Sequence, residues 1–338
     1  MTSLAQSVAR TGRPSESSDS MAAEILEGLR ATPKRIPAKY FYDDAGSMLF
    51  DKITEQPEYY PTRTEIGILK DNAAAIAALL LRPGCAIVEF GCGCAGKIRI
   101  LLDAMLSAPA VYVPVDICAS VVEEEAAQLR RDFPGLTVCP VAADFSRPFD
   151  LPPAAVAAPA RVGFFPGSTI GNFEPHQAAA FFREVGRTLG PDAVLIVGVD
   201  LIKSTEILRA AYNDGAGVTA KFNLNLLTRI NRELGANFHL KQFEHHAFFN
   251  RERNRVEMHL ASLKRQRVKV CGETIEFRVG ETIHTENSYK YSVESFGALA
   301  RGNGWAPLAV WKDAGNLFSV QAFAFRGSEA ARSPTVSA

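Results

Sequence analysis

The sequence predicts an α/β protein whose core is a parallel, doubly wound β-sheet. From residue 62 to about residue 200, short apolar runs of strand length alternate with helical stretches. One of these runs, Cys85–Phe90, leads directly into a group of glycines, and the chain closes on two strand-like segments separated by a turn. Alternation of this kind places crossover helices between parallel strands, and therefore covers both faces of the sheet with helices.

The elements of this core follow from the hydrophobic pattern. A helix is expected from Thr62 to about Leu81, because Thr62 and Glu65 have the spacing of a capping box. The next predicted elements are the strand Cys85–Phe90, the helix Lys97–Ser107, the strand Val111–Val115, the helix Val121–Phe133, the strands Leu136–Val141 and Val162–Phe165, the helix Pro175–Leu189 and the strand Val194–Val199. Trp305–Trp311 and Leu317–Phe325 flank the turn-forming sequence KDAGN and predict an antiparallel β-hairpin on the edge of the sheet.

Two stretches interrupt the alternation and predict a second lobe. Within residues 203–292, a helical stretch, Ala216–Leu234, precedes alternating segments such as Arg255–Leu260 and Val268–Arg278, which are typical of strands. We therefore predict a core of residues 63–202 and 293–328, and an α+β lobe of residues 21–62 and 203–292. Residues 1–20 are rich in serine and lack the apolar stretch of a signal peptide, so we expect a disordered tail.

Bulk composition excludes several classes of function. Lys and Arg number 37, as do Asp and Glu, so the formal net charge of zero offers no general attraction to nucleic acid or anionic membranes. No apolar run reaches the roughly 18 residues of a membrane span. Without export signals, the six cysteines are expected to be reduced thiols. We predict a cytoplasmic monomer that binds neither nucleic acid nor membranes.

The most informative stretch is VEFGCGCAGK, residues 88–97. Gly91, Gly93 and Gly96 match G-x-G-x-x-G between a predicted strand and a predicted helix, and Asp116 lies 20 residues after Gly96. Glycines allow a tight turn and a close ligand, while a carboxylate after the second strand binds ribose hydroxyls. Such a loop serves NAD or S-adenosylmethionine (SAM), or it is simply a tight structural turn.

Glu89 distinguishes between the two cofactors. A carboxylate two residues before the first glycine would repel a pyrophosphate, whereas it would attract the sulfonium and ammonium groups of SAM. The sequence therefore favours SAM and opposes an NAD-dependent oxidoreductase. Asp144, after the third strand, is expected near the adenine end of the same ligand.

Seven segments carry a denser signal than the loop alone. In chain order they are PKRIPAKYFYDDAGSMLFDKIT, PEYYPTRTE, EFGCGCAGKIR, FPGSTIGNF, AYNDGAGVTAKFNLNLLTRINRELGANF, VEM and HTENSYKY. In order and spacing, from about residue 33 to residue 325, they resemble the histidine-specific Nα-methyltransferases of ergothioneine biosynthesis. The resemblance implies a Rossmann-type methyltransferase core with a substrate-binding lobe. It also implies three successive SAM-dependent methyl transfers that convert L-histidine into hercynine, its trimethylammonium betaine.

The resemblance also implies site residues. The expected cofactor contacts, with Glu89 and Gly93 added from the loop, are Glu89, Gly91, Gly93, Lys97, Asp116, Asp144 and Phe145. The expected histidine pocket is Tyr42, Tyr59, Gly167, Asn172, Tyr212, Met258, Glu286 and Ser288, of which Tyr42 and Asn172 are the predicted catalytic residues. The chain departs from the family in the loop, where Cys92, Cys94, Ala95 and Gly96 replace the usual Ser, Thr and acidic residue.

The residue types suit an amino acid with an imidazole side chain. The amide of Asn172 can bind a carboxylate without neutralising the amine, and Tyr212 can donate a second hydrogen bond. Glu286 and Ser288, two apart in a strand-like run, share a face and can serve the two ring nitrogens. Two competing interpretations are that Asn172 caps the helix beginning near Glu174, and that the Glu286 face is solvated.

The aromatic and apolar residues of the expected pocket also have a purely structural interpretation. Tyr42 could orient the amine, but the aromatic clusters around Tyr42 and Tyr59 commonly pack lobes together, and Met258 shares a face with Val256 and Leu260, as a core residue would. The six histidines show no H-E-x-x-H spacing, so we predict no metal site. The competing functions are a methyltransferase acting on another amino acid or amine, and a noncatalytic SAM-binding protein.

Overall fold

The computed structural model describes residues 18–80, 82–93, 96–105 and 111–327, and the chain enters the fold through a helix. The first elements are α1 (Ser18–Arg30), β1 (Lys34–Arg35), a 3-10 turn (Ala38–Phe41), α2 (Asp44–Thr54) and α3 (Tyr60–Leu80). The tail predicted for residues 1–20 is therefore too long, because residues 18–20 are helical and Ile25 and Leu29 of the same helix are fully buried. Residues 1–17, Leu81, Cys94 and Ala95 lie outside the described residues.

Strands and helices then alternate through the core, as the hydrophobic pattern predicts. They are β2 (Ala86–Phe90), α4 (Gly96–Ala104), β3 (Val111–Asp116), α5 (Ala119–Asp132), β4 (Thr137–Val138), β5 (Val141–Ala142), α6 (Pro153–Val156), β6 (Arg161–Phe165), α7 (Pro175–Leu189) and β7 (Val194–Asp200). The parallel strands pair in the order β7-β6-β2-β3-β4, and β5 also pairs with β3. The single strand predicted for Leu136–Val141 is wrong, because Pro140 has no amide for the ladder and divides it into β4 and β5.

A second lobe follows β7. Its elements are α8 (Thr205–Ala211), α9 (Val218–Leu234), β8 (Phe243–Asn250), β9 (Arg255–Ser262), β10 (Gln266–Val270), β11 (Glu273–Phe277) and β12 (Thr282–Tyr289). The lobe sheet has the order β1-β12-β9-β8. The segment predicted as one strand, Val268–Arg278, is instead part of the β10-β11 hairpin, which turns at Cys271 and Gly272 with φ of 48° and 82°. The alternation of apolar and polar residues correctly predicts strand there, but it does not show that the chain reverses direction at the turn.

The chain returns to the core through α10 (Val293–Arg301), β13 (Trp305–Lys312) and β14 (Phe318–Phe325). β13 and β14 form an antiparallel hairpin, and β14 pairs antiparallel with β7 at the edge of the sheet. The predicted terminal hairpin is therefore confirmed; residue 328, the predicted end of the core, lies outside the described residues. Within the described ranges, no helix is long and apolar enough to cross a membrane.

Helix α3 begins before the predicted position, so the capping box at Thr62 is wrong. Glu65 is fully buried and accepts the Gly167 backbone N–H at 2.9 and 3.0 Å, and its Oε2 lies 2.7 Å from Lys97 Nζ. Gly198 of β7 leaves the necessary space, since a Cβ atom there would lie 1.9 Å from Glu65 Oε1. Glu65 thus joins α3 to the turn after β6.

The core and the lobe meet at the turn between β6 and α7. This turn approaches β12 so closely that a Cβ atom on Gly171 would lie 2.8 Å from the Tyr289 carbonyl oxygen. Glu174, the N-cap of α7, accepts hydrogen bonds from Arg255 at 2.7 Å, Asn287 at 3.0 Å and Tyr289 at 2.6 Å. The junction places the carboxyl ends of β6 and β7 opposite the lobe sheet.

Candidate active site

A cleft lies at this junction. The structure brings together in its lining all the residues predicted for the amino-acid pocket, namely Tyr42, Tyr59, Gly167, Asn172, Tyr212, Met258, Glu286 and Ser288. They come from the segment before α2, the turn before α3, the turn after β6, the end of α8, and strands β9 and β12. Their contacts with a ligand stay predictions.

Asn172 ends a 3-10 turn, Thr169–Asn172, that follows the carboxyl end of β6. Gly167 and Ser168 enter this turn with φ of 78° and 57°, which favours glycine at the first position. The N-cap of α7 is Glu174, and the Glu174 backbone N–H is bound by Gln177 Oε1 at 2.9 Å. The alternative role of Asn172 as helix cap is therefore wrong, and its amide is available to the cleft.

Tyr212, Ser288 and Lys290 form a hydrogen-bond network in one wall of the cleft. Lys290 Nζ donates to Ser288 Oγ at 2.8 Å and to the Tyr212 hydroxyl at 3.2 Å, and the Tyr212 hydroxyl lies 2.7 Å from Ser288 Oγ. All three side chains are less than 10% exposed. The orientation of two hydroxyls that face the cleft is thus set by one buried ammonium group.

The third partner of Lys290 is Asp200, at the carboxyl end of β7. Asp200 Oδ2 lies 2.6 Å from Lys290 Nζ, and its carboxylate also binds the Lys203 ammonium and the Tyr60 hydroxyl. Complete burial opposes ionisation of Asp200, but the two ammonium groups outweigh it and hold its pKa below the usual value. Burial lowers the pKa of Lys203 to about 8. Two lysines on one carboxylate leave a positive charge beside the cleft.

Glu286 lies beside this network on β12, next to a β-bulge between His284 and Glu286. Burial raises its pKa to about 7, against the opposing effect of Lys290. Ser288 and Glu286 line the same cavity, so the predicted shared face is present; Ser288 is buried there and Glu286 is partly exposed. The wall therefore presents a titratable acceptor and a hydroxyl side by side.

Another part of the cleft lining is aromatic. Tyr42 lies 5.9 Å from Phe50 and 6.0 Å from Phe222 between ring centroids, and Tyr59 lies 6.5 Å from Tyr212. These residues both pack the lobe and line the cleft, so the structural interpretation and a position in the pocket do not exclude each other. Met258, 2% exposed, likewise belongs to the lobe core and to the cleft wall. Burial, followed by the charge of Glu286, raises the pKa of Tyr42 well above its usual value, so Tyr42 acts as a neutral hydroxyl.

The glycine loop lies at the carboxyl end of β2. Gly91 and Gly93 have φ of 71° and 46°, and Asp116 at the end of β3 accepts the Cys118 backbone N–H at 3.0 Å. A Cβ atom added to Gly93 would meet no atom of the described residues within 4 Å, so the loop leaves open space where a ligand is expected. Burial raises the pKa of Asp116 above its usual value.

The other predicted cofactor residues lie around this loop. Lys97 pairs with Glu65, Asp144 lies 3.7 Å from Lys39 Nζ, and Phe145 belongs to a phenylalanine cluster that includes Phe165, at 5.6 Å. Phe145 lies directly against the glycine loop, since a Cβ atom on Gly91 would be 3.5 Å from its ring. The contacts themselves stay predictions.

The environment of Glu89 differs from the one expected from the sequence. Its side chain is 1% exposed and accepts a hydrogen bond from the Tyr112 hydroxyl at 2.5 Å. Burial raises its pKa well above the usual range, which favours the neutral acid. The negative charge that the sequence argument required is therefore suppressed in this structure, and the choice of cofactor depends on other observations.

Sequence reasoning missed four residues that organise the site, namely Tyr60, Glu65, Asp200 and Lys290. Asp200 had a usable signal, since it is a carboxylate directly after the apolar run VLIVGV at the end of a parallel strand. Lys290 lies within the segment HTENSYKY, next to residues that were identified. Glu65 was assigned to a cap because its partner, Gly167, is 102 residues away.

Comparison with known proteins agrees with this geometry. A family model described as "Histidine-specific methyltransferase, SAM-dependent" matches residues 21–325. The chain is 39% identical over 306 residues to the histidine N-alpha-methyltransferase of Mycolicibacterium smegmatis, covering 89% of this chain and 94% of that protein. It is 38% identical to the corresponding enzyme of Mycobacterium tuberculosis, covering 88% and 92%. Ergothioneine biosynthesis protein 1 of Schizosaccharomyces pombe is 27% identical, covering 80% of this chain and 37% of that longer protein.

Proposed function

Since this chain belongs to the family of histidine-specific, SAM-dependent methyltransferases, we propose that it methylates the α-amine of L-histidine three times, to hercynine, as the first step of ergothioneine biosynthesis. The observation that carries this proposal is the wall formed by Glu286, Ser288 and the Lys290 network. It offers an acceptor and a hydroxyl, which are the complements of an imidazole N–H and an imidazole lone pair.

Histidine lies across the cleft in this proposal. Its carboxylate binds the Asn172 amide, and the positive charge left by the two lysines on Asp200 favours an anion there. Tyr212 lines this end of the cleft and donates its own hydrogen to Ser288 Oγ, which leaves the Ser288 hydrogen free for the ligand. Its imidazole donates to Glu286 and accepts from Ser288. An apolar side chain would cover Glu286 in the cleft without giving it a hydrogen-bond partner, which disfavours such substrates.

The reacting amine lies toward Tyr42 and the glycine loop. SAM, held by the loop and by Asp116, supplies an electrophilic methyl group when bound. Tyr42 is a neutral hydroxyl, so it accepts an N–H of the amine and orients the nitrogen lone pair rather than removing a proton as a phenolate. The amine must be neutral at each transfer, so it loses one proton to solvent before each of the three steps. The methyl group then leaves sulfur for nitrogen and the positive charge moves with it, so alignment dominates, a contribution of about 7–11 kcal/mol in favourable cases.

The test is a product analysis with purified protein. Mass spectrometry of each of the twenty amino acids incubated with SAM should detect turnover of L-histidine with three added methyl groups. Proton NMR should then show three equivalent methyl groups on the α-nitrogen. Methyl groups on the ring, or faster turnover of another amino acid, would overturn the proposal. Binding of SAM without turnover of any amino acid would instead indicate a noncatalytic SAM-binding protein.

We propose in addition that the enzyme works as a monomer in the cytoplasm, without nucleic acid or membrane partners. The balanced charge of the chain supports the absence of nucleic-acid and membrane partners. Light scattering coupled to size exclusion should give the mass of one 36.7 kDa chain. A mass of two chains would contradict it.

A further inference from the structure

Four polar side chains form a compact group on the face of the lobe sheet turned away from the cleft. Val256, Met258 and Leu260 of β9 point into the lobe core, so Glu257 and His259 between them point to the other face. On β12, Asn287 pairs directly with Glu257, and His284 pairs directly with His259. The β-bulge after His284 supplies the extra residue that brings His284 and Asn287 onto one face.

The donor atoms of this group lie near one another, and one separation is already that of two ligands of the same ion. One donor atom from each of Glu257, His259 and His284 lies within 4.8 Å of the others. Glu257 Oε2 and His259 Nε2 are 3.0 Å apart. Ligands about 2.0–2.1 Å from a tetrahedral ion are separated by roughly 3.3 Å. The wider separations must therefore shorten, and His284 must turn out of its ring stack on His259, whose centroid lies 4.8 Å away.

Outer partners already orient the imidazoles. His284 Nε2 lies 3.0 Å from the Glu286 carbonyl oxygen, which only accepts, so Nε2 carries the proton and Nδ1 keeps its lone pair. His259 Nδ1 lies 3.3 Å from Thr282 Oγ1, which leaves Nε2 directed at Glu257. Metal-binding histidines are held in this way, with the second ring nitrogen on a carbonyl, carboxylate or hydroxyl partner.

Outer partners also orient the carboxylate of Glu257. Glu257 Oε1 accepts hydrogen bonds from Asn250 at 2.9 Å and Arg255 at 2.8 Å, so the other oxygen, Oε2, faces the imidazoles. Arg255 also binds Glu174, so two carboxylates share one guanidinium and one negative charge is left over. A cation next to Glu257 would balance that charge.

Asn287 supplies an independent observation. It is 9% exposed, its Nδ2 atom donates to Glu174, and its side chain lies beside His284. Its Oδ1 atom is buried and has no hydrogen-bond donor within 3.5 Å among the described residues. Burial lowers the pKa of His284, and the Asn287 amide lies close enough to that imidazole to oppose the shift. An unsatisfied amide oxygen next to two imidazoles and a carboxylate is a fourth donor for a cation.

We propose that Glu257, His259 and His284, with Asn287 Oδ1, bind a divalent transition-metal ion of the Zn²⁺ class. Two imidazoles and a carboxylate are a ligand set of zinc sites. The spacing of the histidines along the chain predicted no metal site, because these ligands come from two strands about 25 residues apart rather than from one helix. Nothing in the proposed methylation of histidine depends on this ion.

The test is metal binding to the untagged, metal-free protein. Co²⁺, whose visible absorption reports its coordination, should bind one ion per chain, and Zn²⁺ should displace it and raise the melting temperature. His259→Gln and His284→Gln should each weaken binding at least about 100-fold, since changes in outer partners alone cost 10–100-fold. His246→Gln is the matched control, because the exposed His246 pairs with His259 from β8 but lies outside the group. It should bind Co²⁺ as the wild type does.

Several results would overturn the site. They are an absence of Co²⁺ binding, binding retained in His259→Gln, and an equal loss in His246→Gln, which would indicate adventitious surface binding. SAM binding and thermal melting show whether each variant is folded. If His284→Gln does not fold, because His284 also holds the Glu286 carbonyl, His259→Gln decides alone.

Discussion

At the scale of single residues, Glu286 carries the most testable chemistry of the site. Its pKa of about 7 means that the carboxyl group is protonated below this pH and ionised above it. Only the ionised form is a charge-assisted acceptor for an imidazole N–H. Recognition of histidine should therefore depend on pH in a way that the amine of the substrate does not explain.

We expect Glu286→Gln to lower kcat/KM for histidine roughly 10–150-fold at pH 8.5, corresponding to about 1.5–3 kcal/mol for a lost charge-assisted hydrogen bond. The ratio of wild type to variant should shrink as pH falls through about 7, because the wild-type carboxyl group then becomes neutral as well. The measurement is kcat/KM of both proteins between pH 6.5 and 8.5, with SAM affinity as the control. A ratio that stays constant over this range would show that Glu286 does not titrate in recognition.

Lys290 is the second residue whose role can be isolated. Its three N–H groups are directed at Asp200, Ser288 and Tyr212, and Lys203 shares only Asp200 with it. Lys290→Met should therefore raise KM for histidine about 10–100-fold, as two cleft hydroxyls lose a charged donor. Lys203→Met removes a comparable ion pair from Asp200, but it should change KM for histidine much less.

The two lysine variants separate positioning from charge balance. Steady-state KM for histidine and calorimetric affinity for SAM should be measured for both, with thermal melting as the fold control. Similar losses of stability are expected, since each variant removes one partner of a buried pair. Equal increases of KM in both variants would mean that Lys290 acts only as a counter-ion of Asp200.

At the scale of elements, space left by one strand decides what a neighbouring helix can do. Gly198 of β7 permits Glu65 of α3 to reach the Gly167 amide. Gly198→Ala should cost about 1–3 kcal/mol of unfolding free energy, because the new methyl group must displace Glu65. SAM affinity should fall as well, since Lys97 loses its partner.

The matched control is Gly67→Ala in α3, the helix that carries Glu65. A Cβ atom there meets no atom of the described residues within 4 Å, and alanine in a helix interior stabilises by about 0.5–1 kcal/mol over glycine. Chemical denaturation of both variants checks the pair. A Gly198→Ala protein as stable as the wild type would show that Glu65 moves without cost and holds nothing in place.

At the scale of the whole molecule, Glu174 joins the core to the second lobe and fixes their relative position. It caps α7 two residues after Asn172 and binds three residues of the lobe, Arg255, Asn287 and Tyr289. Glu174→Gln should weaken the contacts that fix the position of Asn172 relative to Glu286, and should therefore raise KM for histidine at least severalfold. The predicted SAM contacts lie on the core side, so SAM affinity should stay close to that of the wild type. Parallel losses of both affinities would indicate general unfolding.

Much of this molecule is determined by the sequence alone. The alternation of β2 to β7, the terminal hairpin and the joint membership of Glu286 and Ser288 in one wall follow from hydrophobic periodicity and local spacing. The residues predicted from the seven segments for the amino-acid pocket line one cleft, and the glycine loop follows a strand. These features are local, because each depends on residues within one strand, one helix or one turn.

Only the tertiary structure decides the partners of the charged residues. Glu65 binds an amide 102 residues away. Asp200 binds Lys203, Lys290 and Tyr60. Glu89 accepts a hydrogen bond from Tyr112, and burial raises its pKa well above the usual value. The same holds for His259 and His284, which meet only because β9 and β12 pair in this register. The physical reason is that hydrophobic pattern has a period along the chain, whereas charge pairing depends on which strands become neighbours.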